Sequence, residues 1–181
     1  MSIGKQITEQ LRRLADGDRT MLETGSEHTL LVLDAPLRAQ LEFSDHDRYS
    51  VALRELTVGA AGAASLDARS YLSATAAEVA RRLSFLEEPL AVWELDGGER
   101  TAQLRSSPPL REGDAVSYWE VTLWAPSTNS GQAGDQLGAR AVRYHWSPGM
   151  AEREVLVYPA TFALIARVAD GLADALRDEA A

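Results

Sequence analysis

The sequence predicts a two-layer α+β fold, in which an antiparallel sheet of about seven or eight strands carries three helices, packed mainly on one face. The strongest observation is the segment 115–125, where Trp119, Val121 and Leu123 alternate with a second set of side chains and no glycine or proline intervenes. This two-residue period indicates a half-buried strand in the middle of a sheet. Other short segments also have one apolar and one polar face, as in an antiparallel sheet covered on one side. We therefore expect residues 1–181 to form a single domain.

Composition and charge narrow the classes of partner. The chain carries a net charge of −9, with a sequence pI of about 4.8. Phosphate backbones and anionic membranes attract basic surfaces, so we expect neither nucleic acid nor a membrane as a partner. The chain has no cysteine, and its length suffices to bury a core without a metal or a disulfide. No apolar run reaches the length of a membrane span and the N-terminus lacks a signal-peptide pattern, so a cytoplasmic protein is predicted.

The first third of the chain predicts one helix and three strands. Residues 3–15 carry a narrow apolar stripe at helical spacing, which we expect to pack on the domain or, alternatively, on a second copy: Ile3, Ile7, Leu11 and Leu14. Residues 27–33 do not alternate, so this strand is expected to be covered on both faces. Residues 37–43 and 49–58 form a hairpin across a polar loop of odd length. That loop pairs Phe43 with Tyr49, Leu41 with Val51 and Ala39 with Leu53.

A small-residue linker at 59–65 leads to a helix and a hairpin. Thr75 and Glu78 fit a capping box at the start of the helix. Its apolar stripe precedes Pro89 and consists of Leu72, Ala76, Val79, Leu83 and Leu86. Residues 90–95 and 100–105 flank Gly97-Gly98, which suits a two-residue hairpin turn. That register groups Ala91, Trp93, Leu95, Ala102 and Leu104 on one face.

The last third predicts a loop, a hairpin and a helix. Residues 126–138 are small, polar and rich in glycine, and we expect them to form a mobile loop rather than a functional one. Residues 139–146 and 151–158 form a hairpin that turns at 147–150 and brings Arg143 opposite Glu154 and His145 opposite Glu152. Residues 161–177 form a helix whose broad apolar side suits packing across a sheet: Phe162, Ile165, Ala169, Leu172 and Leu176.

No motif in the sequence identifies a chemistry or a cofactor. Lys5 is the only lysine and lacks the neighbours of a phosphate-binding loop, and neither GxSxG nor HExxH is present. Asp45, His46 and Asp47 are the candidate metal ligands by residue type, but adjacent residues in a turn rarely all point at one ion, so an aspartate-rich turn is the preferred interpretation. His145 opposite Glu152 would be either a base held by a carboxylate or a surface ion pair.

The polar side of the predicted sheet carries the candidate binding residues. Trp93, Trp119 and Trp146 are predicted in the core, whereas Trp124 and Tyr118 fall on the polar face. If the strand from 115 pairs with the strand from 139, one surface holds Tyr118, Trp124, Arg143 and His145. Aromatic residues with arginine on an exposed patch are typical of binding hot spots. The alternative is that the loop beside Trp124 simply covers it.

The order of elements resembles that of the small acidic secretion chaperones. These proteins, like this sequence, run helix, three strands, helix, strands, helix, and have acidic chains. The resemblance covers most of the chain. It is incomplete, because five strands are predicted here after the second helix and the family has fewer. It implies a dimeric α+β protein that binds partner polypeptides, and it assigns no individual residue.

Three functions follow as hypotheses. The first is a non-enzymatic binding or adaptor module that captures a protein or peptide on an exposed sheet face, and for which a homodimer is expected. The second is a small-molecule pocket between the sheet and the last helix, lined by inward-facing aromatic residues. The third is a hydrolase or metal enzyme that uses Asp45, His46, Asp47 or His145.

Overall fold

The computed structural model describes residues 1–18, 22–23, 28–61, 67–126 and 136–178. Within these ranges the helices are α1 (Ile3–Ala15), α2 (Ala68–Arg82) and α3 (Phe162–Asp178). The strands are β1 (Leu22–Glu23), β2 (His28–Asp34), β3 (Leu37–His46), β4 (Ser50–Ala61), β5 (Leu90–Asp96), β6 (Thr101–Ser106), β7 (Leu110–Glu112), β8 (Ala115–Trp124), β9 (Gln136–Trp146), β10 (Glu154–Val155) and β11 (Tyr158–Thr161).

All the described strands belong to one antiparallel sheet. Eight of them follow in the order β1-β2-β3-β4-β9-β8-β6-β5, while β7 pairs with β8, β10 with β9 and β11 with β4. The predicted α+β class and antiparallel sheet are confirmed. The strand that begins at Ala115 is central, as predicted, because it lies between β6 and β9.

The helices cover one face of the sheet, which we call the helical face, and leave the opposite, open face without a helix. The α1 helix packs on β2, β3 and α3, α3 packs on β4 and β9, and α2 packs on β5, β6 and β8. The apolar stripes predicted for α1 and α3 are buried in a single core. At the crossing of α1 and α3, a Cβ on Gly4 would come within 2.3 Å of the Ala166 carbonyl oxygen, so the two backbones nearly touch.

The α2 helix begins earlier than its predicted capping box. Asp67 is the N-cap, and its carboxylate accepts hydrogen bonds from the Arg69 amide and the Ser70 hydroxyl. Thr75 therefore lies inside the helix, where it is fully buried, and Glu78 forms ion pairs with Arg81 and Arg82 instead. The predicted capping box is wrong, whereas all five residues of the predicted apolar stripe are buried.

The prediction that the first long strand is covered on both faces is also wrong. In β2 the side chains of Leu30 and Val32 are buried on the helical face, but Leu31 and Leu33 are exposed on the open face. The side chain of Leu33 is 70% exposed. A continuous apolar run cannot distinguish a strand covered on two faces from one that exposes leucines on an uncovered face.

The β3–β4 hairpin places the predicted residues in the core through a different register. Asp47 accepts hydrogen bonds from the Tyr49 and Ser50 amides, and two irregularities shift the pairing along β3. Phe43 therefore lies opposite Leu53 rather than Tyr49. The other two predicted pairs are likewise replaced, by Leu41 with Leu56 and Ala39 with Val58. Five of the six residues predicted on this face are buried because the bulges restore their side of the sheet: Ala39, Leu41, Phe43, Val51 and Leu53. The sixth, Tyr49, is 69% exposed, so its predicted place on this face is wrong.

The β5–β6 hairpin turns through four residues rather than two. The Asp96 carboxylate accepts hydrogen bonds from the amides of Gly98 and Glu99, and Asp96 pairs with Thr101. The positive φ of +57° in this turn belongs to Arg100. A register shift between Val92 and Glu94 marks a bulge at Trp93.

Two of the three tryptophans predicted in the core do not lie there. Trp119 is buried, as predicted, with 4% of its side chain exposed. Trp93 is 65% exposed at the β5 bulge, and Trp146 is 37% exposed near the end of β9. Trp93 leaves the predicted face at the bulge between Val92 and Glu94. Trp146 lies on the open face with Tyr144, because β9 pairs with β8 in a register that turns these rings away from the helices.

The last hairpin is shorter than predicted and is offset by two residues. His145 lies opposite Glu154 instead of Glu152, and Val155 lies opposite Tyr144. After β10 the chain leaves β9, and β11 pairs with β4. Residues 127–135, which make up most of the loop predicted to be mobile, lie outside the described residues, and β9 begins at Gln136.

In the described part of the chain, no helix combines the length and the apolar character needed to cross a bilayer.

Candidate binding surface

The open face is polar along its centre. Five side chains from five neighbouring strands lie side by side in one row: Gln40, Thr57, Arg140, Thr122 and Gln103. Arg140 forms an ion pair with Glu55 at 2.6 Å. Partial burial lowers the pKa of Arg140, but its hydrogen bond to Glu55 outweighs this and raises the pKa above its ordinary value. This row is therefore a paired, charged surface rather than a second core.

Trp124 packs on bare backbone at one end of the open face. It lies opposite Gly138, which in turn lies opposite Gly59, so two neighbouring strands lack side chains there. A Cβ added to Gly138 would lie 1.9 Å from the Trp124 ring. The indole is half-buried on this glycine, so Trp124 contributes to packing in addition to any contact with a partner.

Replacing Gly138 with alanine should displace the Trp124 ring and lower the free energy of unfolding by about 1–3 kcal/mol, the usual cost of overpacking. Urea denaturation of the purified chain would measure the loss. In a Trp124→Ala background the same substitution should cost less than about 0.5 kcal/mol, because the clash is gone. Equal costs in both backgrounds would mean that the contact with Trp124 does not limit residue 138.

The four predicted binding residues lie on two different faces. Tyr118 and Trp124 are on the open face, as predicted, but six residues along one strand separate them by about 20 Å. Arg143 lies opposite Trp119 and His145 lies opposite Ser117, which places both of them on the helical face. The expectation of one shared surface is wrong because adjacent residues in a strand alternate between faces. A binding role for Tyr118 and Trp124 stays a prediction.

Arg143 is a core residue in an ion pair. Its side chain is 3% exposed, and its two terminal nitrogens each donate to a Glu88 carboxylate oxygen at 3.0 Å. Its guanidinium also lies over the rings of Trp119 and Tyr158. The predicted contact with Glu154 is not made, because the β9–β10 register differs.

His145 and the Asp45–Asp47 turn have local partners. The Nδ1 atom of His145 is 3.1 Å from the Ser117 hydroxyl, which is buried. The carboxylate of Asp47 holds its own turn, and hydrogen bonds to Tyr49 and Ser50 lower its pKa below the ordinary value. Among the described residues no group of three or more His, Cys, Asp or Glu side chains is placed to hold a metal ion.

A second cluster on the open face combines arginines with aromatic rings. Arg105 lies between two rings, with its Cζ 4.9 Å from the centroid of Trp93 and 5.5 Å from that of Tyr118. Arg153 lies between Tyr118, at 5.9 Å, and Tyr144, at 4.0 Å. We call these five residues, in the order Trp93, Arg105, Tyr118, Arg153 and Tyr144, the arginine–aromatic ladder. It spans β5, β6, β8 and β9 and ends at the exposed ring of Trp93.

Glu120 joins the two arginines of the ladder. It is 3% exposed, and its carboxylate accepts from Arg105 Nε at 2.8 Å and from both terminal nitrogens of Arg153. Arg153 also donates to the Tyr118 hydroxyl at 2.9 Å. Partial burial lowers the pKa of Arg153, but the bonds to Glu120 and Tyr118 outweigh it and raise the pKa well above its ordinary value. Arg153 therefore stays charged at any physiological pH.

Sequence reasoning identified only Tyr118 among these five residues. Trp93 was assigned to the core because unbroken alternation along the strand places it on the face of Leu95. The bulge between Val92 and Glu94 moves it to the open face, and this bulge has no signal in the sequence. Arg153 carried no signal either, because it reaches the ladder only through the pairing of β10 with β9.

The helical face is filled where a small-molecule pocket was predicted. The α3 side chains that face the sheet are almost inaccessible: Ile165, Ala169, Leu172 and Leu176. The inward-facing ring of Trp119 packs edge-on against Tyr158 with a centroid distance of 5.2 Å. Around these residues the interface is packed, and a cavity lies instead beside the first turn of α3, lined by Tyr49, Phe162 and Ala163 among others.

Comparison of the chain with known protein families, with curated proteins and with solved structures finds no match.

Proposed function

We propose that this chain is a cytoplasmic, non-enzymatic binding module that captures a polypeptide on the open face of its sheet. The observation that carries the proposal is the ladder's outer end, where Trp93 exposes 65% of its side chain next to Arg105. Tryptophan, tyrosine and arginine dominate the energetics of protein interfaces, and here all three types adjoin one another.

The ladder is suited to binding because its parts are already ordered. Arg105 and Arg153 are each held by Glu120 and by two rings. A partner would therefore lose little side-chain entropy by docking on them.

A second copy of the chain is the competing occupant of this surface, as the resemblance to dimeric chaperones would imply. Sedimentation at several concentrations separates the two uses. A monomer that retains the open face supports capture of a different polypeptide. A dimer that buries Trp93 contradicts it.

The proposal predicts that linear peptides selected from a random library on the immobilised full chain will require Trp93. Replacing Trp93 with alanine should weaken their binding at least tenfold, since an aromatic hot spot contributes about 2 kcal/mol or more. The matched control is Tyr49→Ala, which removes another aromatic side chain, 69% exposed, at the distant β3–β4 turn. Isothermal titration of both variants measures the effect. Equal losses, or none in either variant, would contradict the proposed surface.

A further inference from the structure

We infer that the partner is a basic, extended segment that adds as a strand to the outer edge of β5; this inference rests on the proposed function. In the described chain β5 ends the order of strands and pairs only with β6. Alternate residues of β5 present their backbone amides and carbonyls on the side away from β6, since the others bond to β6. An extended peptide can pair with such an edge through main-chain hydrogen bonds.

Apolar side chains are exposed on both faces of this edge. Val92 is exposed on the helical side, opposite Leu104. Trp93 is exposed on the open side, above Arg105. A strand beside β5 would cover both side chains at once, since its own residues alternate between the same two faces.

The charge along the edge of β5 indicates the sign of the partner's charge. Residues 87–99 contain five carboxylates and no lysine or arginine: Glu87, Glu88, Glu94, Asp96 and Glu99. Only Glu88 is neutralised inside the fold, by Arg143. Glu87, Glu94 and Glu99 are exposed. A segment with lysine or arginine would meet these carboxylates across the new pairing, where opposite charges stabilise adjacent strands.

The Trp93 ring adds a second preference for cations. It already accepts one guanidinium, from Arg105, at 4.9 Å. Most of the indole is still in solvent, and tryptophan is the strongest aromatic acceptor of cation–π contacts. A lysine or arginine of the added strand therefore finds both a ring and carboxylates within the same short stretch.

The same features disfavour a second copy of the chain as the added strand. Pairing β5 with β5 of a second chain would bring two acidic edges together, each from a molecule of net charge −9. Like charges on paired strands are destabilising.

The test uses the full ¹⁵N-labelled chain and three synthetic nine-residue peptides with blocked ends. The first alternates lysine with valine or threonine, the second has glutamate in place of lysine, and the third is the lysine peptide N-methylated at alternate residues. We expect the lysine peptide to bind at least tenfold more tightly than either of the others. We also expect it to slow amide hydrogen exchange in β5. Equal binding of the N-methylated peptide would overturn strand addition, and equal binding of the glutamate peptide would overturn the charge preference.

Charge-reversal variants localise the effect. The double variant Glu87→Lys/Glu94→Lys should weaken binding of the lysine peptide at least tenfold. The control Glu9→Lys/Glu152→Lys makes the same change in net charge at exposed sites elsewhere, and it should weaken binding less than threefold. Equal losses would overturn the inference in favour of non-specific attraction. If a variant fails to fold, the comparison of the three peptides on the unaltered chain still tests both strand addition and the preference for a basic segment.

Failure of this inference is distinguishable from failure of the proposed function. Library peptides that require Trp93 but are neutral or acidic would overturn the basic strand and leave the binding surface intact. Library peptides that ignore Trp93 would contradict the proposed function itself. A concentration-dependent dimer that protects the β5 amides would overturn the inference in favour of a second copy.

Discussion

Replacing Arg143 with alanine is expected to lower the free energy of unfolding by about 3–5 kcal/mol, because it leaves the Glu88 carboxylate buried without its partner. The two side chains are 3% and 9% exposed and share two hydrogen bonds of 3.0 Å. The arginine also packs on Trp119 and Tyr158. Urea denaturation followed by circular dichroism would measure the loss. This substitution would therefore disturb the fold before it reported on any binding.

The matched control is Arg111→Ala, which removes an exposed arginine from β7 and should change stability by no more than about 0.5 kcal/mol. The double variant Arg143→Met/Glu88→Leu replaces both charges with apolar groups of similar size. It should recover most of the stability, since the cost of the single change lies in the unpaired charge. If Arg143→Ala were as stable as Arg111→Ala, the buried pair would not exist in solution.

The second large effect is expected at Glu120, where alanine should cost about 2–3 kcal/mol, because the carboxylate accepts charged hydrogen bonds from two arginines. Its loss would leave the guanidinium groups of Arg105 and Arg153 close together with no counter-ion. Part of the cost should disappear in about 0.5 M salt, because both arginines are partly exposed and salt screens their repulsion. Urea denaturation at low and high salt measures both effects.

Glu55→Ala is the comparison for this prediction. Glu55 is also on the open face and pairs with one arginine, Arg140, whose side chain is 39% exposed. Such an exposed pair contributes about 0–1 kcal/mol, so this variant should be nearly as stable as the unaltered chain. Equal losses at residues 55 and 120 would argue against a special role for the carboxylate within the ladder.

The helices and the central strand could be predicted from the sequence because their signals are local. Ile3, Ile7, Leu11 and Leu14 recur at helical spacing within one short segment, and they are buried as expected. The alternation around Trp119 likewise needs no knowledge of distant residues. Where periodicity alone decides the structure, a single sequence is sufficient.

The registers could not be predicted, because they depend on how single side chains bond to a turn. The carboxylate of Asp47 holds the β3–β4 turn and changes its register. In β5 a bulge between Val92 and Glu94 moved Trp93 from the expected core to the surface. The candidate site depends on such registers and on residues distant in the chain. Arg143 and Glu88 are 55 positions apart in the sequence, and Arg153 and Glu120 are 33 positions apart. Neither contact has a local signature in the sequence.

The position of β4 has a consequence for biosynthesis. One edge of β4 pairs with β3, which precedes it, but the other edge is shared by β9 and β11, which lie some 75 or more residues later in the chain. During translation that edge has no native neighbour until most of the polypeptide has left the ribosome. Sheets closed by such distant segments fold slowly, and their intermediates expose unpaired strands. The nascent chain should therefore depend on chaperones more than the finished protein does.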